Sequence, residues 1–492
     1  MRQAIRFRRR GRIVEVADMS PRALLLDYLR LGERGTGTKE GCAEGDCGAC
    51  TVALGRLRDG RVVYEPVNAC ILLLGQVDGA DLVTVEDLAA DGVLHPVQAA
   101  MVEHHGSQCG FCTPGIVMSL WTLYREGARP VTREAVNDRL AGNLCRCTGY
   151  RPIVDAALAA CDGPPADRFL AESEGIRADL ERLADHEDVM VGNSERFFAA
   201  PASEDALADL YARHPDATLV AGSTDVGLWI TKAFYDPAKV IWLGRVAGLD
   251  RVEDAPEGLS IGAMATHAAA HAALARLDPD LGELMRRFGS AQVRASGTVG
   301  GNLANGSPIG DLAPALIALG ATLELRRGEA VRDLPLEDFF LAYRRQDRAP
   351  GEFVRGVTVA RPGPTEAFRC FKVSKRFDED ISAVMGAFKL ALDGRRIAGA
   401  RVAYGGMAGT PKRAPAAEAA LTGALLDDPQ TWEPALAALA QDYQPLDDHR
   451  ASAAYRRTVA RNLLLKALHE IAAGRTDGTR LAGGRPDLMA AE

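Results

Sequence analysis

The sequence of 492 residues has no long hydrophobic run and no strong excess of one charge. Apolar runs such as Ile71–Leu74 are far shorter than the roughly 20 residues that a membrane-spanning helix needs. The Arg-rich start, Met1–Arg12, is not followed by the apolar segment of a signal peptide. The formal net charge of −8 gives no reason to expect nucleic acid as a partner. We therefore expect a cytoplasmic chain that binds neither membranes nor nucleic acid.

Cysteine is rare beyond residue 147, where only Cys161 and Cys370 occur. We interpret both as small buried hydrophobic side chains. The other eight of the ten cysteines lie in the first 147 residues. Thiols stay reduced in the cytosol, so clustered cysteines there indicate metal ligands rather than disulfides. The N-terminal region is therefore predicted to bind metal.

The first four cysteines have the spacing C-x4-C-x2-C…C, which is that of plant-type 2Fe–2S ferredoxins. They are Cys42, Cys47, Cys50 and Cys70. The loop between residues 41 and 50 is rich in small residues, which allow backbone amides to approach a cluster. Zinc held by four thiolates is the alternative, but zinc sites usually pair two short C-x2–4-C segments. Because three of these cysteines share one loop, the spacing favours an iron–sulfur cluster.

The second four cysteines have the less specific spacing C-x2-C…C-x-C. They are Cys109, Cys112, Cys145 and Cys147. Spacing alone leaves three interpretations open here: an iron–sulfur cluster, a zinc site or a redox-active dithiol. His104 and His105 lie close by, but the cysteines already complete two sites, so we interpret them as ordinary helix-end residues.

The hydrophobic pattern changes from strand-like to helical at about residue 85. Before that point, short strands surround one predicted helix, Pro21–Leu31, with Ser20 as its N-cap. Four short helices are then predicted up to residue 162, as a small bundle around the second site. They are Val97–His105, Pro114–Glu126, Arg133–Ala141 and Ile153–Ala159, with Thr113 and Thr132 as caps. Helices and strands alternate from residue 196 to about residue 365, which indicates an α/β domain.

Two Gly-rich loops lie in the predicted α/β domain, Leu219–Gly227 and Ser296–Asn302. Neither has the G-x-G-x-x-G or the Walker pattern, and a single loop of this kind is often only a turn. Two such loops beside a metal-binding region favour a nucleotide cofactor whose pyrophosphate meets backbone amides. Flavin passes between two-electron and one-electron chemistry, which suits a cluster relay, although composition alone does not name FAD.

Three segments resemble the molybdenum hydroxylase family: Gly41–Val52, Gln108–Gly115 (QCGFCTPG) and Gly142–Pro152 (GNLCRCTGYRP). The resemblance extends from about residue 1 to 472. The domain order is similar to that of the iron–sulfur and flavin small subunits of xanthine dehydrogenases. The resemblance implies that the second site also holds a 2Fe–2S cluster, rather than zinc or a dithiol.

The resemblance also implies the residues that contact the other cofactors. The positions that match FAD-binding residues are Leu219, Val220, Ala221, Gly222, Ser223, Thr224, Asp225, Val226, Phe288, Thr298, Val299, Gly300, Gly301, Asn302, Asp311, Val354, Lys372 and Asp380. Asp380 would also lie near the nicotinamide, and Tyr343 would help to shape the NAD side. Gln108 and Cys147 match positions that approach the pterin of a molybdenum cofactor.

Three positions depart from the family pattern. Ala43 and Asp46 stand where glycines are common in the first cysteine loop, and Asp225 stands where many members have Glu. The sequence also contains no molybdenum-binding domain. We therefore expect a separate large molybdenum-binding subunit as the partner, in an α2β2 heterotetramer.

The expected function is electron transfer from that subunit through two 2Fe–2S clusters to FAD, which reduces NAD as hypoxanthine and xanthine are oxidised to urate. The corresponding subunit of another molybdenum hydroxylase, acting on an aldehyde, another N-heterocycle or CO, is the alternative.

The predicted fold is a multidomain α+β chain. Its segments are 1–82, a ferredoxin-like β-grasp domain; 83–162, a four-helix iron–sulfur bundle; 163–192, a linker; 193–365, an α/β FAD-binding domain; 366–475, an α+β C-terminal flavoprotein domain; and 476–492, a flexible tail.

Overall fold

The computed structural model describes residues 1–127, 129–476 and 478–485. The chain divides into two compact units. The first unit comprises Met1–Ala247 and Gly289–Gly297, and the second comprises Gly248–Phe288 and Thr298–Glu492. In the described ranges no helix combines the length and the apolar character that a membrane crossing requires.

The first unit begins with a five-stranded sheet. Its strands are β1 (Ile5–Arg9), β2 (Arg12–Val16), β3 (Thr51–Arg58), β4 (Arg61–Asn68) and β5 (Asp81–Val83). They are ordered β2-β1-β5-β3-β4, with β1 parallel to β5 and the other neighbours antiparallel. Ile5, Phe7 and Val52 fill the core of this layer. This is the ferredoxin-like part of the predicted fold, and it places the first cysteine loop directly before β3.

The helix predicted at Pro21–Leu31 is much shorter in the structure. An α-helix covers only Leu25–Asp27 and continues as a π-helical turn, Tyr28–Gly32. Leu24 stands at the N-cap instead of Ser20. The physical reason is a competing partner, because the amides of Leu25 and Leu26 bond the carbonyls of the segment that carries Cys70.

The four helices predicted after residue 85 are all present. They are Pro96–Glu103, Thr113–Glu126, Arg133–Leu140 and Arg151–Ala160. Thr132 caps the third helix by accepting a hydrogen bond from the amide of Ala135. The cap predicted at Thr113 was wrong, because Cys112 occupies that N-cap position. Trp121 and Ile116 are fully buried in the core that the helices share with β3 and β4.

The segment predicted as a linker, 163–192, folds as part of the first unit. It forms the helices Arg168–Ala171 and Ser173–Leu183, which bury Phe169, Ile176 and Leu180 against the helical core. Its last residues form β6 (Val189–Gly192). The spacing of the apolar residues at 176, 180 and 183 is helical, and this signal outweighs the polar composition of the segment.

A second, four-stranded sheet completes the first unit. It consists of β6 with β7 (Phe197–Ala200), β8 (Thr218–Val220) and β9 (Lys239–Trp242), in the order β6-β7-β9-β8. The last three strands are parallel to one another. The helices Glu204–Arg213, Val226–Thr231 and Ala291–Ser296 belong to the same unit. The first Gly-rich loop follows the carboxyl end of β8, which is the usual place for ligands in parallel sheets.

The second unit contains an antiparallel sheet in the order β10-β11-β16-β12-β13 and a two-stranded hairpin, β14-β15. The strands are β10 (Val252–Ala255), β11 (Gly258–Gly262), β12 (Thr322–Arg327), β13 (Ala330–Pro335), β14 (Phe340–Ala342), β15 (Arg345–Gln346) and β16 (Phe353–Ala360). The helices are His267–Leu277, Pro279–Arg286, Val299–Asn305, Leu312–Leu319 and Leu336–Phe339. The fully buried helix Leu312–Leu319 packs between this sheet and the sheet that follows.

The last part of the second unit is an antiparallel sheet in the order β17-β18-β19-β20 with three helices. The strands are β17 (Glu366–Val373), β18 (Val384–Asp393), β19 (Arg396–Gly405) and β20 (Lys412–Arg413), and the helices are Pro415–Leu421, Glu433–Asp442 and Ala453–Ala473. The predicted flexible tail differs in its described part, because Arg480 and Arg485 are buried and form ion pairs with Asp280 and Asp278. The tail residues 477 and 486–492 lie outside the described residues.

Candidate functional site

The first cysteine loop wraps around the sulfur of Cys42. Three backbone amides donate to its Sγ, from Glu44 and Asp46 at 3.4 Å and from Cys47 at 3.3 Å. Contacts with the thiols of Cys47 and Cys70, together with these amides, lower the pKa of Cys42 far below its usual value. The loop is thus built to hold a thiolate, which is the form of cysteine that binds metal.

The four sulfurs of the first set lie together. Cys42 contacts both Cys47 and Cys70, and Cys70 contacts Cys50. These contacts raise the pKa of Cys47 and of Cys70, because neighbouring thiols compete to be the thiolate. Cys50 and Cys70 are buried, whereas Cys42 and Cys47 are half-buried.

The backbone of the loop needs small residues. Gly45 and Gly48 have φ angles of +79° and +67°, in the left-handed region. A Cβ atom on Gly48 would lie 2.1 Å from the carbonyl oxygen of Gly142, so no side chain fits there. Ala43, one of the departures from the family pattern, also has a positive φ, of 55°.

The second set of cysteines also converges, in two contacting pairs. Cys112 contacts Cys145, and Cys147 contacts Cys109. Burial and the neighbouring Cys145 thiol raise the pKa of Cys112 to about 12. Cys145 is buried, but Cys109 and Cys147 are exposed, as is the adjacent Gln108. This site therefore opens to the surface on the side predicted to face the pterin.

Both sets fit a 2Fe–2S cluster, in which four thiolates are shared by two irons. The sulfurs contact one another mainly in pairs, and the amides around Cys42 add the donors that such a site requires. Four thiols converge in each set, which is the number of ligands that one such cluster needs.

The two cysteine sites are joined by hydrogen bonds between residues next to their ligands. The amide of Leu144, which precedes Cys145, donates to the carbonyl of Cys47 at 2.9 Å. Asn143 Nδ2 donates to the carbonyl of Gly48 at 3.2 Å. The path from Cys47 of the first set to Cys145 of the second therefore consists of one hydrogen bond, to Leu144, and one peptide bond.

The first Gly-rich loop touches the ferredoxin-like sheet next to Cys70. Ser223 Oγ donates to the carbonyl of Ile71 at 2.8 Å, and Gln76 Nε2 donates to the carbonyl of Ala221 at 3.0 Å. Ser223 has a φ of +57°, and a Cβ atom on Gly222 would lie 1.9 Å from the carbonyl of Ser296. The loop is therefore tightly held, with the exposed Asp225 at its end and helix Val226–Thr231 following.

This loop has the features that a pyrophosphate needs. Gly222 and the left-handed Ser223 turn the chain sharply after β8, and the short helix begins directly behind them. Leu219 and Val220 belong to the strand, and Thr224 is half-buried beside them. FAD would supply the exchange between hydride and single-electron chemistry here.

The second unit holds the other predicted flavin residues. Thr298 caps helix Val299–Asn305 by accepting from the amide of Gly301 at 3.0 Å, and Asn302 lies in the first turn. A Cβ atom on Gly300 would lie 2.4 Å from the side chain of Ala263, so the helix lies directly on the turn after β11. This close approach explains the run of small residues in the loop.

Two more predicted residues of the second unit, Lys372 and Asp311, form a buried polar cluster, and a third, Asp380, bonds within its own loop. Lys372 Nζ donates to Asp311 Oδ2 at 2.6 Å and to Ser382 Oγ at 3.1 Å, and both charged side chains are about 95% buried. Asp380 Oδ2 accepts from the amides of Lys375 and Arg376. Burial would raise the pKa of Asp380, but these amides lower it below its usual value. Asp380 therefore holds its own loop in shape.

The remaining predicted residues are dispersed within the second unit. The ring of Phe288 packs on His267 with centroids 4.4 Å apart. Val354 is buried in β16, and Tyr343 is exposed at the tip of the β14-β15 hairpin. The predicted roles of these residues toward FAD and NAD stay predictions.

Sequence reasoning missed the residues that join the sites. Ile71, Asn143 and Gln292 provide the contacts between the two cysteine sites and the first Gly-rich loop, and Ser382 completes the lysine cluster. Asn143 lies inside the GNLCRCTGYRP segment, which is the signal that could have found it. Gln292 belongs to no recognisable pattern.

Comparison with known proteins assigns each region to a family of domains. Residues 7–74 match the 2Fe-2S iron-sulfur cluster binding domain, and residues 84–158 match the 2Fe-2S binding domain. Residues 193–362 match the FAD binding domain in molybdopterin dehydrogenase, and residues 369–471 match the CO dehydrogenase flavoprotein C-terminal domain. The chain therefore contains two 2Fe–2S domains followed by a two-part flavin region.

Relatives and solved structures are similar to different shares of this chain. A xanthine dehydrogenase of Emericella nidulans is 32% identical over 95% of this chain, which spans only 38% of that relative. The CO dehydrogenase structure from Oligotropha carboxidovorans is similar to 58% of this chain and 99% of that one, with 26% identity and a TM-score of 0.53. The structure of quinoline 2-oxidoreductase from Pseudomonas putida 86 is similar to 56% of this chain and 96% of that one, with 26% identity and a TM-score of 0.51. The chain thus has the domain arrangement of the iron–sulfur and flavin small subunits of the molybdenum hydroxylase family.

Proposed function

We propose that this chain is the electron-transfer subunit of a xanthine dehydrogenase. Electrons would leave a molybdenum centre on a separate large subunit, pass the cysteine set that includes Cys109 and then the set that includes Cys42, and reach FAD, which reduces NAD. The substrates would be hypoxanthine and xanthine, oxidised to urate. The assembly would be an α2β2 heterotetramer.

The observation that carries this proposal is a line of hydrogen bonds between the sites of the first unit. Leu144, next to Cys145, donates to the carbonyl of Cys47. Ser223, in the first Gly-rich loop, donates to the carbonyl of Ile71, next to Cys70. The first cysteine site thus lies between the second site and the predicted flavin loop, which supports the proposed order of transfer.

The exposure of the second site supports a partner subunit at that end. Cys109, Cys147 and Gln108 are exposed, and so are the apolar side chains of Phe111 and Leu144, which are 48% and 55% exposed. Large apolar side chains around exposed ligand residues are typical of a surface that another protein covers. The molybdenum-binding subunit expected from the family resemblance would meet the relay here.

A second candidate is the corresponding subunit of a molybdenum hydroxylase that oxidises an aldehyde, another N-heterocycle or CO. The similarity to the CO dehydrogenase and quinoline 2-oxidoreductase structures favours it. The higher identity to a xanthine dehydrogenase, 32% against 26%, favours the first candidate. Substrate choice would reside in the partner subunit, so only an assay of the complex distinguishes the two.

The test is to express the chain with its partner, purify the complex and assay xanthine-dependent reduction of NAD. We expect about four irons for each copy of this chain, because it would hold two 2Fe–2S clusters, together with stoichiometric flavin. Turnover of quinoline, an aldehyde or CO in place of xanthine would select the second candidate. Stoichiometric zinc, or iron at half the expected level, would contradict the two-cluster proposal.

Two ligand variants and one control test the relay. Cys109→Ser and Cys42→Ser should each abolish xanthine-dependent NAD reduction while leaving the flavin content unchanged. Cys161→Ser is the matched control, because Cys161 is buried in the same unit but belongs to neither set. Full turnover in either ligand variant would overturn the assignment of that site to the relay.

A further inference from the structure

Gln292 occupies an unusual position at the contact between the two cysteine sites. It lies in helix Ala291–Ser296, in the short segment by which the chain returns to the first unit after residue 288. Its side chain is fully buried. Gln292 belongs to neither iron–sulfur domain, but its side chain lies at the contact between the two domains.

The amide nitrogen of Gln292 meets three acceptors that belong to the two iron–sulfur domains. Nε2 lies 3.1 Å from Thr51 Oγ1, 3.1 Å from Ser119 Oγ and 3.0 Å from Asn143 Oδ1. All three partners are at least 98% buried. Thr51 directly follows Cys50, and Asn143 lies two residues before Cys145. One side chain therefore bridges residues adjacent to ligands of both sets.

The partners of Gln292 lead directly to the contact between the sites. Thr51 Oγ1 donates to the carbonyl of Gly48 at 2.7 Å, and Asn143 Nδ2 donates to the same carbonyl at 3.2 Å. Asn143 is followed by Leu144, whose amide donates to the carbonyl of Cys47. The side-chain bonds of Asn143 thus hold the chain at the residue directly before the Leu144 amide.

The fit around Gln292 is tight. A Cβ atom on Gly142 would lie 2.3 Å from the Cβ of Ser290 and 2.5 Å from Gln292 Oε1. Gln292 Oε1 itself has no hydrogen-bond partner among the residues that the structure describes. The unpaired Oε1 lowers the stability of the fold, because a buried polar atom without a partner is costly. The contribution of Gln292 therefore lies in how its Nε2 positions Thr51, Ser119 and Asn143.

We propose that Gln292 is a positioning residue for electron transfer between the two clusters. By holding Thr51 and Asn143 it keeps the Leu144 amide on the carbonyl of Cys47 and fixes the separation of the two cysteine sites. This inference rests on the proposed function, since it needs both sites to hold clusters. Electron transfer slows steeply with separation, so a small displacement at this contact has a large effect on the rate.

The test replaces Gln292 by Met, which has a similar size but no polar amide. Two readouts are measured on the purified holoprotein: hydrogen exchange at the Leu144 amide, and the magnetic interaction between the two reduced clusters in electron paramagnetic resonance spectra. Because the contact would open more often, we expect the exchange to rise about tenfold. The splitting of the electron paramagnetic resonance signals that this magnetic interaction causes should become smaller and more heterogeneous than in the unmodified protein. Gln98→Met is the matched control, because among the described residues Gln98 bonds to His95 and Val85, which both lie in the helical domain.

The outcomes separate the two proposals. Full iron content with unchanged Leu144 exchange and unchanged splitting in Gln292→Met would overturn the role of Gln292 and leave the proposed function intact. Absence of two clusters in the unmodified protein would overturn the proposed function itself. If Gln292→Met loses iron, the second variant is Thr51→Val, which removes the hydroxyl that contacts Gln292 Nε2 but keeps the shape of the side chain. Unchanged Leu144 exchange and unchanged splitting in Thr51→Val would then overturn the role of Gln292.

Discussion

The two cysteine sites of the first unit have the same number of ligands but differ in their surroundings. The first lies between a tight loop and a β-sheet, with Cys50 and Cys70 buried. The second lies between helices, with Cys109 and Cys147 exposed. The second site can therefore be called the outer site, because two of its cysteines are exposed, and the first the inner site, because none of its cysteines is exposed.

The glycines near the two sites differ in how much space surrounds them. At the first site, Gly48 lies directly against Gly142 of the second site, and a side chain at either position would collide with a neighbour. At the outer edge, Gly110 and Gly149 have positive φ angles, but a Cβ atom on either would meet nothing within 4 Å. The inner contact is therefore close-packed, whereas the outer edge has space that a partner can fill.

The largest expected difference between the sites comes from removing one ligand of each. Cys50→Ser and Cys109→Ser should each reduce the iron from about four to about two atoms per chain. Cys50→Ser should destabilise the fold by about 1–3 kcal/mol more than Cys109→Ser, because it also places a hydroxyl in the apolar core. Iron analysis and thermal unfolding followed by circular dichroism check this. Equal losses of stability would show that exposure does not distinguish the sites.

A smaller effect is expected when a chelator removes iron from the folded protein. The outer site should lose its iron first, and the thiols of Cys109 and Cys147 should then be alkylated before those of Cys50 and Cys70. Cys112 should react slowly although it is only half-buried, because its pKa is raised to about 12 and little thiolate is present at neutral pH. Mass spectrometry of alkylated peptides gives the order, and modification of Cys50 ahead of Cys109 would reverse the comparison.

The smallest effect concerns backbone strain in the inner loop. Ala43 has a φ of +55°, which costs an L-residue about 1 kcal/mol relative to glycine. Ala43→Gly should therefore raise the free energy of unfolding by up to about 1 kcal/mol. Ala141→Gly is the control beside the outer site, because Ala141 has a φ of −50° and should lose stability instead. Urea unfolding of both variants measures the difference, and changes of the same sign would contradict it.

Local sequence signals found most of the first unit. The cysteine spacing predicted two sets of cluster ligands, and the structure brings the four cysteines of each set together. The four helices near the second site follow from clear 3.6-residue patterns. The helix predicted at Pro21–Leu31 begins only at Leu25, because the amides of Leu25 and Leu26 bond the carbonyls of Leu72 and Ala69, which lie far away in sequence.

The segment 163–192 was predicted as a linker because of its Pro-rich start and charged residues. In the structure Phe169 and Ile176 are buried in the helical core. Composition averages over a segment, whereas burial depends on the few apolar residues that reach a core. The described part of the tail follows the same rule, because Arg480 is buried through its ion pairs with Glu470 and Asp280.

The sequence by itself determined which atoms could bind iron and which loops could bind a nucleotide, because thiol chemistry and backbone freedom are properties of single residues at fixed spacing. The tertiary structure decided how the sites connect. Leu144 meets Cys47, Ser223 meets Ile71 and Gln292 meets Asn143 across long stretches of chain. Such contacts depend on how whole elements pack, so no local sequence pattern predicts them, and they bring the two cysteine sites and the loop next to one another in the first unit.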